Sequence, residues 1–303
     1  MRVVAIIQAR LGSTRLPGKV LADVGGRSML GRVCDRARRA ALVDQVVVAT
    51  TLEPSDQQVV DECARLQVAC FRGSTEDVLE RYDQAARAFE ADAVVRITAD
   101  CPLIDPQVID LVVAAFQEAR QALQHSAFSI QHSAFSIQHS AFSIQHSAFR
   151  IQHSEFSIQH SASLLYASNT LRRTWPRGLD AEVMTAAALA RACREATQRH
   201  ERIHVTPYIY QHPDLFRLLA VTRRWGVCAD AIPAHRAVPG PEDLGHWRWT
   251  VDVPEDLDFV RAVYGRMGGS ETFSWRDVQQ LLAREPALAE LNRHVRQKQL
   301  VEG

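Results

Sequence analysis

Up to about residue 120 the chain alternates short β-branched runs with longer stretches of helical period, and this alternation restricts the fold more than any other feature. VVAII (3–7), QVVVAT (45–50), VACF (68–71) and AVVRIT (93–98) read as strands. Between them, SMLGRVCDRARRAA (28–41), SDQQVVDECARL (55–66) and TEDVLERYDQAARAFE (75–90) set apolar residues three and four apart, which gives each helix one face to bury. Strands that are apolar along their whole length, each followed by a helix, need cover on both sides. They predict an α/β domain: a Rossmann-like, mostly parallel sheet with helices on both faces. Ligands of such sheets bind beyond the carboxyl ends of the strands. Chemistry is therefore expected in the loops after Ile7, Thr50, Phe71 and Thr98.

A chain of 303 residues, 47% hydrophobic and 23% charged, has ample material for that core. Its 35 basic and 35 acidic side chains cancel, so no overall field favours nucleic acid or an anionic membrane, and neither is expected as a partner. The opening run MRVVAII turns polar at Gln8, too short for a signal peptide or a membrane span, and a cytoplasmic location is the expectation. Six cysteines without a C-x-x-C pair point to reduced thiols rather than a disulfide framework.

At residue 124 the texture changes. QHSAFSI recurs at 124, 131 and 138, then as QHSAFRI at 145 and QHSEFSI at 152, and ends in QHSA at 159. The segment 124–162 is read as an insertion between two elements of the domain, either a helix or a poorly ordered arm. Successive histidines on a helix of this period are roughly 10 Å apart, too far to share a metal. After the insertion come LLYASNTL, RRTWPRGLDAEVM, a helix over AAALARACREAT (186–197), a helix through HVTPYIYQ (204–211) and a strand FRLLAVT (216–222). A strand WRWTVDV (247–253) and helices over 254–267 and 274–295 complete the reading. The expected organisation is one domain over 1–265, interrupted by 124–162, with a C-terminal helical extension over 266–303.

The loop QARLGSTRLPGKVL (8–21) carries Arg10, Arg15 and Lys19 together with Gly12 and Ser13. It is not a P-loop: Gly12 and Gly18 are one residue too far apart, and Val20 stands where the magnesium-binding hydroxyl belongs. Pro17-Gly18 enforces a turn, so the cations are expected to converge on one anionic ligand, with a nucleoside triphosphate as the working hypothesis; the alternative is a solvated basic surface loop. Asp100 follows the strand AVVRIT, and Asp252 ends WRWTVDV. Two carboxylates facing a triphosphate loop suit an octahedral Mg2+ whose remaining positions are filled by phosphate and water; taken singly, each equally suits a cap on the helix that follows, and the pairing with the basic loop favours the metal.

IIQARLGSTRLPGKVL, FRGSTEDVLERY, VVRITADCPLIDP, ASNTLRRTWPRGLDAEV, HVTPYI and WTVDVPEDL, in that order, resemble the cytidylyltransferases that activate acidic sugars. The likeness is to the branch of spore coat polysaccharide biosynthesis proteins, relatives of the acylneuraminate and 3-deoxy-manno-octulosonate cytidylyltransferases. It implies the nucleotide-diphospho-sugar transferase fold and transfer of CMP from CTP to a sugar, with release of pyrophosphate. It further implies that Arg10, Gly12, Ser13, Arg15 and Lys19 take the CTP, with Ser74 and Asp77 near the nucleotide. Lys19, Arg15 and Asp100 are the implied catalytic residues, and Asp100 and Asp252 the implied metal ligands. Asn169, Arg177, Asp180, Glu182, Glu201 and His204 match the acceptor side, and a homodimer is the assembly to look for.

HERIH (200–204) satisfies H-E-x-x-H, the zinc-protease pattern. The resemblance instead assigns Glu201, Arg202 and His204 to an E-R-E-H-V-T-like family segment from which Ile203 departs, and no third ligand follows downstream. Two further readings stand beside the transferase. One is a related nucleotide-sugar enzyme using another triphosphate or transferring the sugar itself. The other is a non-catalytic polysaccharide-assembly protein with the repeat as its partner surface.

Overall fold

The computed structural model describes residues 1–140, 163–223, 243–270 and 272–297, with 126–140 as backbone only. Seven strands form one sheet: β1 (Val3–Gln8), β2 (Gln45–Thr51), β3 (Ala69–Gly73), β4 (Ala93–Thr98), β5 (Leu165–Ser168), β6 (Glu182–Thr185) and β7 (Arg217–Ala220). Their spatial order is β3-β2-β1-β4-β6-β5-β7. β1 is parallel to both β2 and β4, and β2 to β3; β6 alone runs against its neighbours. The expected Rossmann-like, mostly parallel sheet is therefore present, and the strand order reverses at β1 and β4. A crevice opens at such a reversal because the connections leave toward opposite faces.

The helices are α1 (Met29–Ala37), α2 (Gln57–Arg65), α3 (Val78–Ala88), α4 (Pro106–Ser140), α5 (Ala186–Glu195), α6 (Arg199–His204), α7 (Pro207–Gln211), α8 (Pro254–Arg266), α9 (Trp275–Arg284) and α10 (Ala287–Glu290). The strand period of two sends Val3, Ala5 and Ile7 to one face, where they pack with α1, α2 and α4. Val4 and Ile6 go to the other face, against α3, α5 and α7. A third apolar cluster lies beyond the sheet. Trp175, Leu179, Trp249 and Phe259 pack there with Trp275, Val278 and Leu282 of α9, and Trp175 meets Trp275 edge to face at 5.0 Å.

Several elements differ from expectation. The repeat begins inside α4, a 35-residue helix about 50 Å long that runs without a break into residues 124–140. The remainder of the insertion, 141–162, lies outside the described residues, and with it three of the six repeat histidines. The helix expected over 274–295 is cut at Pro286, which has no N–H to give and pushes Glu285 to φ −124°, ψ 71°. The one expected over 204–211 is cut at Val205, whose φ of 74° makes a γ-turn closed by Thr206 N donating to His204 O at 2.9 Å. WRWTVDV is not a strand of the sheet. It is tied down by Val251 N donating to Asp100 O at 2.8 Å and by a single bridge between Arg177 and Arg248.

That bridge depends on Gly178, at φ +103°. A Cβ there would stand 2.6 Å from the Trp249 carbonyl carbon and 2.7 Å from Thr250 N, both backbone atoms that cannot rotate aside. Gly178→Ala is expected to cost about 2 kcal/mol or more, from the unfavourable φ and the forced separation of the two segments. Urea denaturation measures it, and a loss under 0.5 kcal/mol would show that the two segments separate at little cost.

Candidate active site

The basic loop leaves β1 and folds over its own start. Ser13 N and Gly18 N both donate to Leu11 O, at 2.7 and 3.1 Å, and Leu11 N is held by Asp56 Oδ1 at 2.7 Å. Gly18, at φ 70°, begins a 3-10 turn over Lys19–Leu21 that buries Lys19. The Lys19 ammonium then gives its three hydrogens to three oxygens: Asp100 Oδ2 at 2.9 Å, Asp252 Oδ1 at 2.9 Å and Val251 O at 2.7 Å. Arg15 reaches the same Asp252 Oδ1 at 3.0 Å. Residues 15, 19, 100 and 252 thus meet at the carboxyl edge of the sheet, although Asp252 arrives on an irregular segment rather than a strand.

Electrostatics follow from that packing. Burial by itself disfavours the Lys19 charge, but Asp100 and Asp252 more than offset it and hold its pKa above the usual lysine value. Burial would likewise raise the Asp252 carboxyl; Lys19, Arg248 and Arg15 instead hold it below the usual carboxylate range. Cys101, beside Asp100, is pushed well up by burial and by the charges of Asp100 and Asp180, so it is a neutral thiol there.

No hydrogen bond or ion pair among the described residues joins the remaining predicted residues to the Lys19, Asp100 and Asp252 side chains. Arg10 is exposed; the Arg81 pKa is lowered by burial first and, further, by the Arg10 charge. Gly12 is exposed and open on its Cα side. Ser13 Oγ is turned into the loop, accepting from Leu16 N at 3.3 Å. Ser74 Oγ accepts from Asp77 N at 3.0 Å, Asp77 caps α3 through Glu80 N at 2.9 Å, and its other oxygen pairs with Arg202. Asn169 pins together the two ends of the β5–β6 connection, donating to Leu179 O at 2.7 Å and accepting from Ala181 N at 3.0 Å.

Asp180 is gripped by both nitrogens of the Arg173 fork, at 2.6 and 2.9 Å. Arg177, half-buried nearby, has no ion pair among the described residues; burial first and then the Arg173 charge lower its pKa. Glu182, on β6, pairs with Arg96 of β4 and accepts from Tyr166 Oη at 2.8 Å. Glu201 is a helix cap: one of its oxygens takes Thr197 N at 3.0 Å and Gln198 N at 2.9 Å. His204 is held below the usual histidine pKa by burial and then by the Arg96 charge. His204 Nε2 and Arg96 Nε are both buried without a protein partner among the described residues.

The zinc reading of HERIH finds no support: Glu201 is spent on the cap, and no group of three or more metal-binding side chains occurs among the described residues. Five participants are not among the residues predicted from sequence: Asp56, Arg96, Arg248, Asp256 and Asn292. Asp256 stands in the first turn of its helix, where an acid is ordinary, and nothing in the sequence marks Asn292.

A cytidylyltransferase family model matches residues 4–264. The spore coat polysaccharide biosynthesis protein SpsF of Bacillus subtilis is 27% identical over 292 residues, covering 95% of this chain and 96% of its own length. The 3-deoxy-manno-octulosonate cytidylyltransferase of Trichlorobacter lovleyi is 39% identical over 118 residues, 38% of this chain and 45% of that protein. Among solved structures, a cytidylyltransferase from Leptospira borgpetersenii superposes with a TM-score of 0.72 at 26% identity, over 99% of this chain and 100% of the other.

Proposed function

The chain belongs to the cytidylyltransferase family and is a nucleotidyltransferase, and we propose that it transfers CMP from CTP to a carboxylate-bearing sugar with the aid of Mg2+ held by Asp100 and Asp252. The observation that carries this reading is the Lys19 clamp: one ammonium equidistant, at 2.9 Å, from two carboxylates that arrive from distant parts of the chain. The ammonium marks a point where oxygen donors already surround a positive charge. Hard carboxylate and carbonyl oxygens suit Mg2+ or Mn2+, and two protein carboxylates leave the other positions to phosphate and water. When bound, the divalent cation shields the phosphate oxygens and makes the α-phosphorus more electrophilic.

The chain's own residues do the rest. Arg15 and Lys19 draw the triphosphate onto the carboxyl edge of the sheet and neutralise charge as it moves to the departing pyrophosphate. A sugar hydroxyl oxygen bonds to the α-phosphorus as the bond to the β-phosphate breaks, and the hydroxyl proton passes to a carboxylate of the site. Such a reaction needs alignment more than a covalent nucleophile. Arg177 offers an unpaired guanidinium to the sugar carboxylate, and the partnerless nitrogens of Arg96 and His204 offer two further donors to its hydroxyls. The likeness to SpsF supports a role in surface polysaccharide synthesis. No helix among the described residues is long and apolar enough to cross a membrane.

The test is pyrophosphate release by purified protein with each nucleoside triphosphate against acidic and neutral sugars. Release is expected with CTP and a sugar acid, and is expected to stop on addition of EDTA and return with Mg2+. Release from another triphosphate in preference to CTP would move the protein to the related nucleotide-sugar enzymes. No release from any triphosphate would overturn the catalytic reading.

A further inference from the structure

Asp252 has two oxygens, and they have different partners. Oδ1 faces Lys19 and Arg15; Oδ2 accepts from the Arg248 guanidinium at 2.8 Å. Arg248 is itself immobilised. Its Nε and one terminal nitrogen bind the two oxygens of Asp256 at 2.8 and 2.9 Å, and its other terminal nitrogen reaches Gln297. Asp256 is fully buried and takes two more donors from the backbone, Asp252 N at 2.9 Å and Val253 N at 3.2 Å. Asn292, just after α10, closes the network: its side-chain amide donates to both Asp256 Oδ1 and Arg248 O at 2.9 Å.

We infer that Arg248 is a positioning residue, braced by Asp256 and Asn292, which occupies Oδ2 of Asp252 so that Oδ1 alone is presented to the divalent cation, and that the C-terminal segment is therefore part of the cation site. The inference rests on the proposed function. A carboxylate free to turn about its last bond offers either oxygen, or both at once. Binding through both oxygens subtends too small an angle for the near-ideal octahedron that Mg2+ demands. A guanidinium fixed on Oδ2 removes both alternatives, and outer partners of this kind typically govern metal affinity by 10- to 100-fold. Arg248 suits the task where lysine does not, since its planar fork spans two carboxylates at once.

The decisive measurement is Mn2+ binding in the presence of CTP, read from the loss of the free-ion EPR signal, with the full chain. Arg248→Gln is expected to weaken binding about tenfold or more, Arg248→Lys to restore it only in part, and Asn292→Ala, which touches neither Asp252 nor the cation, to weaken it in the same direction by a smaller factor. Thermal melting accompanies each variant; should Arg248→Gln not fold, Asn292→Ala carries the test. A purely packing role lowers the melting temperature but leaves the Mn2+ affinity of the folded protein unchanged, and that result in Asn292→Ala and any folded Arg248 variant overturns the inference. If Asp252→Asn weakens Mn2+ binding while those variants do not, the positioning role fails alone. If the wild type with CTP binds no Mn2+, the cation site of the proposed function fails with it.

Discussion

Lys19→Ala is expected to cut pyrophosphate release from CTP by at least about a hundredfold, the loss seen when one preorganised charge is removed from a transition state. The ammonium hydrogens have three fixed acceptors, which hold the charge at the carboxyl edge of the sheet, where the triphosphate is proposed to bind. Arginine is not a conservative replacement. A planar fork cannot serve three oxygens arranged around a point, and Lys19→Arg is expected to lose most of the activity too. The group is also held firmly charged. Its folded pKa is raised, so the stability it contributes is complete below the unfolded value of about 10.4 and is lost only as pH rises through the folded one. Activity between pH 6 and 9 should therefore show no titration of this residue. Because the change leaves Asp100 and Asp252 facing one another, the assay is paired with a circular-dichroism melt. A folded Lys19→Ala protein with activity within threefold of wild type would remove the clamp from the mechanism.

Glu182→Ala is expected to destabilise the fold by about 3–5 kcal/mol, the cost of stripping the partner from a buried charge. Arg96 and Glu182 are register partners on the antiparallel β4–β6 pair, in the middle of the sheet. Removing the carboxylate strands a guanidinium whose Nε is already without a partner, and also strips Tyr166 of its acceptor. For a chain of this size the melting temperature should fall on the order of 10 °C. The paired substitution Arg96→Leu with Glu182→Leu separates stability from function. Apolar residues of similar volume commonly replace a buried ion pair at little or no cost, so the double variant should regain much of the lost stability. It should remain inactive if the pair also serves the sugar. A Glu182→Ala protein within 1 kcal/mol of wild type would mean that water reaches Arg96 after all.

The convergence of Lys19, Arg15, Asp100 and Asp252 was legible because each sits where a parallel sheet exposes chemistry, in a loop or segment after an apolar run. The residues proposed for the acceptor side show no such convergence. Glu201 and Asp77 carry the right chemistry for a ligand, yet helix starts need acceptors as well, and in the structure both residues cap helices. One-dimensional pattern cannot separate these uses, since a carboxylate before a helix looks the same whether it meets a backbone N–H or a substrate. Pro286 and Pro207 mark the breaks in the two expected helices, because neither has the N–H that a continuing helix needs, while the apolar period runs on past both.

The sequence by itself determined the layered architecture, because strand and helix periods are local properties that dictate which faces must be buried. It also determined the basic loop, whose turn and charges lie within a dozen residues of one another. Only the tertiary structure decided that Asp252 enters on an irregular strap tied to Asp100 and that Arg248, Asp256 and Asn292 hold it in place. The contacts to Asp100 and Asn292 join residues far apart in the chain. They exist because the third apolar cluster, built around Trp175, Trp249 and Trp275, packs the C-terminal helices against the strap that carries Asp252, and no period or motif within the chain encodes that docking.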